Sequence, residues 1–194
     1  MSDQSKDKKL LSLILDYVDV DRLLAEHPEI SRAEIEALRA RLRPRHRAAS
    51  PGQTPRGNVL IAHCDGASRG NPGPAAIGVV LKDPSGTDVA TLAEPVGRTT
   101  NNVAEYLAVI HAARKARELG ARELRLLLDS ELLVCQLNGT YRVRAPHLVT
   151  LNRQARAALN EFDRWSVQHV PRKLNARADA LANAALDREK ARSR

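Results

Sequence analysis

The chain has 194 residues, 43% of them hydrophobic and 28% charged. This globular balance excludes a disordered chain or a large multidomain enzyme and leaves room for one main domain with a small appendage. Lysine and arginine number 31 against 23 acids, a net charge of +8 that points to a polyanionic partner, while 3% aromatics is too few for a platform that stacks single strands.

No apolar run reaches the roughly 18 residues of a membrane span, so no membrane partner is expected. The polar start MSDQSKDKK lacks the apolar stretch of a signal peptide, and a cytoplasmic location is expected. Leu10, Leu11, Leu13, Ile14 and Val18 recur at helical spacing. Ser31 and Glu34 form an S-x-x-E capping box that opens a second helical stretch ending near Pro44. Residues 1–43 therefore read as a small helical module, too small to be stable alone, that binds nucleic acid, a protein partner or itself. Residues 44–57 form a basic flexible linker within RPRHRAASPGQTPRG, which has three prolines and no acid.

From residue 58 to 194 the periodicity changes. Val59–Cys64 reads as a strand, GASRGNPGP as a turn, and Ala75–Leu81 and Asp88–Ala93 as two further strands around DPSG. Thr100 caps a helix from Asn102 to about Leu119, stopped by Gly120. Leu124–Leu128 reads as a central strand buried on both faces. Helices over Ser130–Leu137 and His147–Phe162, a strand over Trp165–Val170 and a helix from Asn175 to about Arg188 complete the order βββαβααβα. The fold class is α/β, a mixed five-stranded sheet flanked by helices and preceded by the small helical module.

Four acids stand where α/β domains place chemistry. Asp65 follows the first strand, beside a turn rich enough in glycine for backbone to approach a ligand. Asp129 ends the central strand, at the carboxyl edge of the sheet. Glu105 and Asp179 fall in the opening turns of their helices, where the dipole favours ionised carboxylates. Asn175, Asp179 and Asn183 share one helical face, and the alanines around them let that helix pack close to the sheet.

Together the segments CDGASRGNPGPAA, TTNNVAEYLA, LLLDSELLV and NARADALAN resemble the ribonuclease HI family across residues 59 to about 187. The resemblance implies a ribonuclease H-like catalytic domain in which Asp65, Glu105, Asp129 and Asp179 bind two Mg²⁺ or Mn²⁺ ions. It further implies that Asp65 bridges the ions, with Asp179 on the nucleophile side and Glu105 and Asp129 on the leaving-group side. The physics agrees, since four gathered carboxylates repel one another and hard divalent cations neutralise them through oxygen ligands. Ions about 3.5 to 4 Å apart can hold a phosphodiester between them.

The resemblance also implies that Gly66, Ser68 and Asn71 touch the RNA strand near its 2′-hydroxyls, and that Thr100 and Asn101 bind a phosphate of the DNA strand. The implied activity is hydrolysis of the RNA strand of RNA/DNA hybrids, leaving 3′-hydroxyl and 5′-phosphate ends. The alternatives are a nuclease that also cleaves double-stranded RNA, and an inactive adaptor that binds a hybrid or duplex. The intact acids favour the enzyme.

The chain departs from well-known bacterial members in two places. It lacks the lysine-rich handle between Gly139 and Leu159, and QHVPRKLNARAD has no glycine-flanked histidine loop, so it looks like the handle-less, compact subgroup. Arg172 and, after it, His169 are expected to take over part of that loop's work from just before the helix carrying Asp179. An arginine there holds phosphate bidentately, and a histidine can shuttle a proton. Trp165, Tyr106 and Tyr141 read as core or core-edge packing. Cys64 is expected to face away from Asp65, and Cys64 and Cys135 lack the spacing of a zinc or redox site. His63, His111 and His147 have no second ligand at metal spacing. Arg142 and Arg144 form a small basic patch.

Overall fold

The computed structural model describes residues 59–192, together with His27, Glu29, Ser31, Glu34 and Ile35. Contacts divide the chain into two units, Met1–Pro55 and Arg56–Arg194. In the first, the capping box forms as expected. The Ser31 N–H donates to Glu34 Oε2 at 2.8 Å and the Glu34 N–H donates back to Ser31 Oγ at 3.2 Å. The other expectations for residues 1–57 lie outside the described residues.

The second unit runs β1 (Val59–Ser68), β2 (Gly73–Lys82), β3 (Asp88–Thr99), α1 (Asn101–Glu118), β4 (Glu123–Leu128), α2 (Glu131–Asn138), α3 (Pro146–Leu159), β5 (Arg164–His169) and α4 (Arg172–Arg192). The sheet order is β3-β2-β1-β4-β5. The first three strands form an antiparallel meander, and β1–β4 and β4–β5 pair in parallel. This is the mixed five-stranded sheet the periodicity predicts.

One face of the sheet carries the main core. Leu60, Ala62 and Cys64 of β1 and Leu124, Leu126 and Leu128 of β4 bury with Ala108, Val109, Ala112 and Ala116 of α1. Each such leucine contributes about 1.5–3 kcal/mol of transfer free energy. Tyr106 is also core, as expected. Its hydroxyl donates to Gln136 Oε1 at 2.8 Å and accepts from Asn152 Nδ2 at 3.1 Å, which ties α1 to α2 and α3. Trp165 packs at the core edge and donates to Asn160. Tyr141 is a correction: it is 57% exposed, in the loop after α2, and no core packing holds it.

The other face is covered by α4, which lies on β1, β2 and β3. Gly78 marks where helix and sheet meet most closely, because a Cβ there would run into the Ala178 carbonyl and the Ala182 amide of α4. The alanine-rich helix does pack close, as its composition implies. Because α4 stops short of β4, that strand is not buried on both faces as expected. Leu124, Leu126 and Leu128 point into the core, while Arg125 between them is exposed. Among the described residues no helix is long and apolar enough to cross a membrane.

Several element boundaries differ from the sequence reading, among them the end of α3, which stops at Leu159 and not at Phe162. β1 continues through Asp65 to Ser68 because Gly66, Ala67 and Ser68 pair with Ile77, Ala76 and Ala75, so the turn shrinks to 69–72, with Asn71–Pro72 in cis. β3 extends to Thr99 by pairing with Gly73. α4 begins at Arg172, directly behind Pro171, a residue suited to the lead of a helix.

Candidate active site

Three packing contacts converge on Asp65. β1 runs parallel to β4 with His63 abreast of Leu127, and continuing that register sets Asp65 beside Asp129. Gly66 abuts α1 so tightly that a Cβ would run into the Glu105 amide and the Ala104 carbonyl carbon, which sets Glu105 against the same strand. Gly78, cross-strand partner of Asp65, touches α4 at Ala178, the neighbour of Asp179. The four predicted acids are thus brought to one edge of the sheet by four elements.

Their mutual field is visible at Asp65. Burial first, then the charges of Asp129, Asp179 and Glu105, push its carboxyl up to about 7. Glu105 is also raised, by burial foremost, although two hydrogen bonds oppose the shift. Its Oε1 accepts from Asn101 Nδ2 at 3.0 Å and its Oε2 from Ser130 Oγ at 2.9 Å. Asp129 Oδ1 accepts from Asn175 Nδ2 at 2.7 Å, and Asp179 Oδ1 accepts from Arg172 Nη2 at 3.0 Å.

Three of the acids therefore rest on neighbouring donors. Among the described residues, no three carboxylate, imidazole or thiol groups converge tightly enough as they stand to hold one metal ion. The donor set nevertheless fits divalent cations. It offers only hard carboxylate oxygens, in a site where their crowding opposes ionisation and bound cations would relieve it.

Contrary to expectation, the helix dipole does not hold Glu105 or Asp179. Glu105 is the fifth residue of α1 and Asp179 the eighth of α4, and neither helix has an acid in its first turn. The dipole effect fades within that turn. What holds Asp179 is the guanidinium of Arg172, two turns back on the same face.

The remaining candidates divide into connected and separate residues. Asn71 Oδ1 accepts from the Asn101 N–H at 3.1 Å, so the turn after β1, the start of α1 and Glu105 form one hydrogen-bonded chain. Thr100 caps α1, its Oγ1 accepting from the Val103 N–H at 3.4 Å. Gly66 is buried, and Ser68 is half-buried at the end of β1. Arg172 reaches Asp179, although it is a residue of α4 and not of a preceding loop. His169 is exposed at the end of β5, opposite Leu128, and no hydrogen bond or ion pair among the described residues joins it to the acids. Arg142 and Arg144 line a groove of about 560 Å³ with Val143, Pro146 and Val149.

Two residues that touch the acids were not singled out for the site. Ser130 directly follows Asp129 and caps α2. Asn175 is only 1% exposed and donates to both Asp129 and the Cys64 carbonyl. The i, i+4 spacing of Asn175 to Asp179 was the available signal for the second.

A family model described as reverse transcriptase-like matches residues 63–185. Ribonuclease HI of Halobacterium salinarum is 49% identical over 135 residues, 70% of this chain and 68% of that protein. This chain belongs to the ribonuclease HI family. The crystal structure of the H. salinarum ribonuclease H1 superposes with a TM-score of 0.66, covering 66% of this chain and 98% of that one. A compost-derived ribonuclease H1 in complex with an RNA/DNA hybrid is 39% identical, with a TM-score of 0.64 over 67% of this chain and 98% of that one. A bifunctional protein of Mycobacterium tuberculosis is 44% identical over 129 residues, and the match spans about a third (35%) of its length. Proteins of this family depend on divalent metal ions, and the carboxylate edge described above is the part of this chain that fits them.

Proposed function

We propose that this chain is an endonuclease that hydrolyses the RNA strand of RNA/DNA hybrids with two Mg²⁺ ions, or Mn²⁺ in their place, leaving 5′-phosphate and 3′-hydroxyl ends. The observation that carries the proposal is the gathering of Asp65, Glu105, Asp129 and Asp179 at one sheet edge, with the Asp65 carboxyl pushed up to about 7. The hybrid bound by the compost-derived relative supports the choice of substrate.

Divalent ions bound by these acids supply Lewis-acid stabilisation of charge on the phosphodiester. Asp65, Glu105, Asp129 and Asp179 would hold the ions, with Asp65 central to the cluster. Asp179 stands on the side of the attacking water, and Glu105 and Asp129 on the side of the departing oxygen. Asn101 and Ser130 orient Glu105, and Asn175 orients Asp129. Gly66, Ser68 and Asn71 meet the RNA strand, whose 2′-hydroxyls distinguish it from DNA. Thr100 and Asn101, at the N-terminus of α1, receive a phosphate of the DNA strand. Arg172 holds a phosphate at the edge of the site, and His169 stands by as the second candidate for that work.

The test is to incubate the protein with labelled hybrid, double-stranded RNA, single-stranded RNA and DNA, each with Mg²⁺, Mn²⁺ or EDTA. Cleavage of hybrid that EDTA abolishes is the expected result. Cleavage of double-stranded RNA as well would widen the substrate range, and hybrid binding without metal-dependent cleavage would return the chain to the adaptor reading. Residues 1–57 precede the span of the family match, and we assign their basic stretch a share of the grip on the duplex. A chain lacking them is expected to bind hybrid more weakly, with a shallower salt dependence and the same single-turnover rate at saturation.

A further inference from the structure

Two buried polar atoms close to the acids have no hydrogen-bond partner: His63 Nδ1 and Asn175 Oδ1. They are chemically complementary. The Asn175 amide can face only one way, because its Nδ2 donates to the Cys64 carbonyl at 2.8 Å and to Asp129 Oδ1 at 2.7 Å. Turning the amide over would set its oxygen against two acceptors. Oδ1 therefore points away from Asp129 as a pure acceptor in need of a donor.

His63 is placed to supply one. Its side chain stands on the same face of β1 as Asp65, two residues on, beneath the start of α4. The Asn175 side chain and the Leu174 backbone are the hydrogen-bonding groups that act on its ring. Both orphaned atoms are shut away from solvent, where a polar atom without a partner is rarely left in a folded protein. Each can satisfy the other if the imidazole proton sits on Nδ1.

We propose that His63 is a positioning residue, whose Nδ1–H donates to Asn175 Oδ1 and so fixes the amide that grips Asp129. The result is a relay running His63, Asn175, Asp129, from the middle of β1 to the edge of the site. The relay rests on the ribonuclease reading only in taking Asp129 as a metal ligand. His63 touches neither ion nor substrate. Its effect is on the orientation of one carboxylate, as outer-shell partners of metal ligands generally act.

The first test is spectroscopic and uses the metal-free parental chain. In a long-range ¹H–¹⁵N correlation of histidine-labelled protein at mildly alkaline pH, His63 is expected as the Nδ1–H tautomer, and the Nε2–H tautomer overturns the proposal. The second test is calorimetric titration of full-length variants with Mg²⁺. His63→Gln, whose amide nitrogen falls near the Nε2 position, is expected to weaken ion binding about tenfold. His63→Asn, whose amide nitrogen falls near Nδ1, should bind close to the parental value. Equal losses in the two variants, or no loss in His63→Gln, would show that the hydrogen bond does not position Asp129. Failure of the parental protein to cleave hybrid would instead strike at the ribonuclease reading and leave the tautomer assignment standing.

Discussion

The two walls of the acid cluster are built differently. On the β1–α1 side, the backbones that carry Asp65 and Glu105 are locked together, since Gly66 leaves no room for even a methyl group below the Glu105 amide, and Asn101 and Ser130 then hold the Glu105 carboxylate. On the α4 side, Asp179 is held by a side chain, the guanidinium of Arg172, which is 78% exposed where Asp179 is 29%. The first wall is set by folding itself. The second can change partner when a phosphate or a cation arrives, because an exposed ion pair contributes little stability. A site that must grip charged ligands and release charged products has use for one wall of each kind.

The largest expected effects test whether the acids on the two walls differ in anything but chemistry. Asp65→Asn and Asp179→Asn should each abolish hybrid cleavage, measured with Mg²⁺ under single-turnover conditions. Their metal-free stabilities should diverge. The folded-state pKa of Asp65 is raised above its ordinary value of 3.8 to about 7, so the folded protein keeps a proton that the unfolded chain releases. Ionised Asp65 therefore destabilises the fold, by an amount that grows between those two pH values and is level above them. In EDTA, thermal unfolding of Asp65→Asn should show a gain over the parent that widens from about pH 4 to pH 7 and then holds. Asp179→Asn keeps Asp65 and removes only one of the three charges that act on it, so its gain should be smaller. A pH-independent difference for Asp65→Asn would show that carboxylate crowding does not burden this wall.

The next effect concerns the backbone wall alone. Gly66→Ala leaves every acid in place but forces β1 and α1 apart, since neither the Glu105 amide nor the Ala104 carbonyl can yield as a flexible side chain would. Overpacking commonly costs about 1–3 kcal/mol, and backbone clashes fall at or beyond the upper end. Displacement of reacting groups by about 1 Å can cost about a hundredfold in rate. Urea unfolding and single-turnover cleavage should both register the change. A variant with parental stability and rate would mean that the strand and helix are free to separate.

The sequence made these walls unequally legible. The acids were readable because each lies in its own local motif, and Gly66 and the alanines of α4 were visible as permission for close approach. The extension of β1 was not, because GASRGNPGP has the composition of a turn, and only pairing with Ala75–Ile77 makes part of it strand. The single covered face of β4 was legible in Arg125, which interrupts the leucines of 124–128, and the placement of α4 over β1, β2 and β3 supplies its reason. Asn175 could be placed on the Asp179 face by spacing. Its grip on Asp129, 46 residues away, depends on sheet order and helix placement that periodicity does not carry.

The smallest effect belongs to the side-chain wall. Arg172 lies on Asp179 now, and the charges of Asp129 and Asp65 act on its guanidinium in the same direction, so it stands over the acid cluster as a counter-ion. Its fork can exchange a carboxylate for a phosphate without changing protonation, which no lysine or histidine does as well. Arg172→Ala should therefore slow single-turnover cleavage about tenfold at saturating enzyme. His169→Ala should do less, since His169 is exposed and no hydrogen bond or ion pair among the described residues joins it to the acids. The two variants also separate two roles for Arg172. If it mainly holds phosphate, Arg172→Lys should recover little, because a point charge cannot reproduce the fork. If it mainly neutralises Asp179, lysine should recover most of the rate. Parental cleavage by Arg172→Ala, with an unchanged pH profile, would leave the side-chain wall with no part in the reaction and the acids with their ions sufficient.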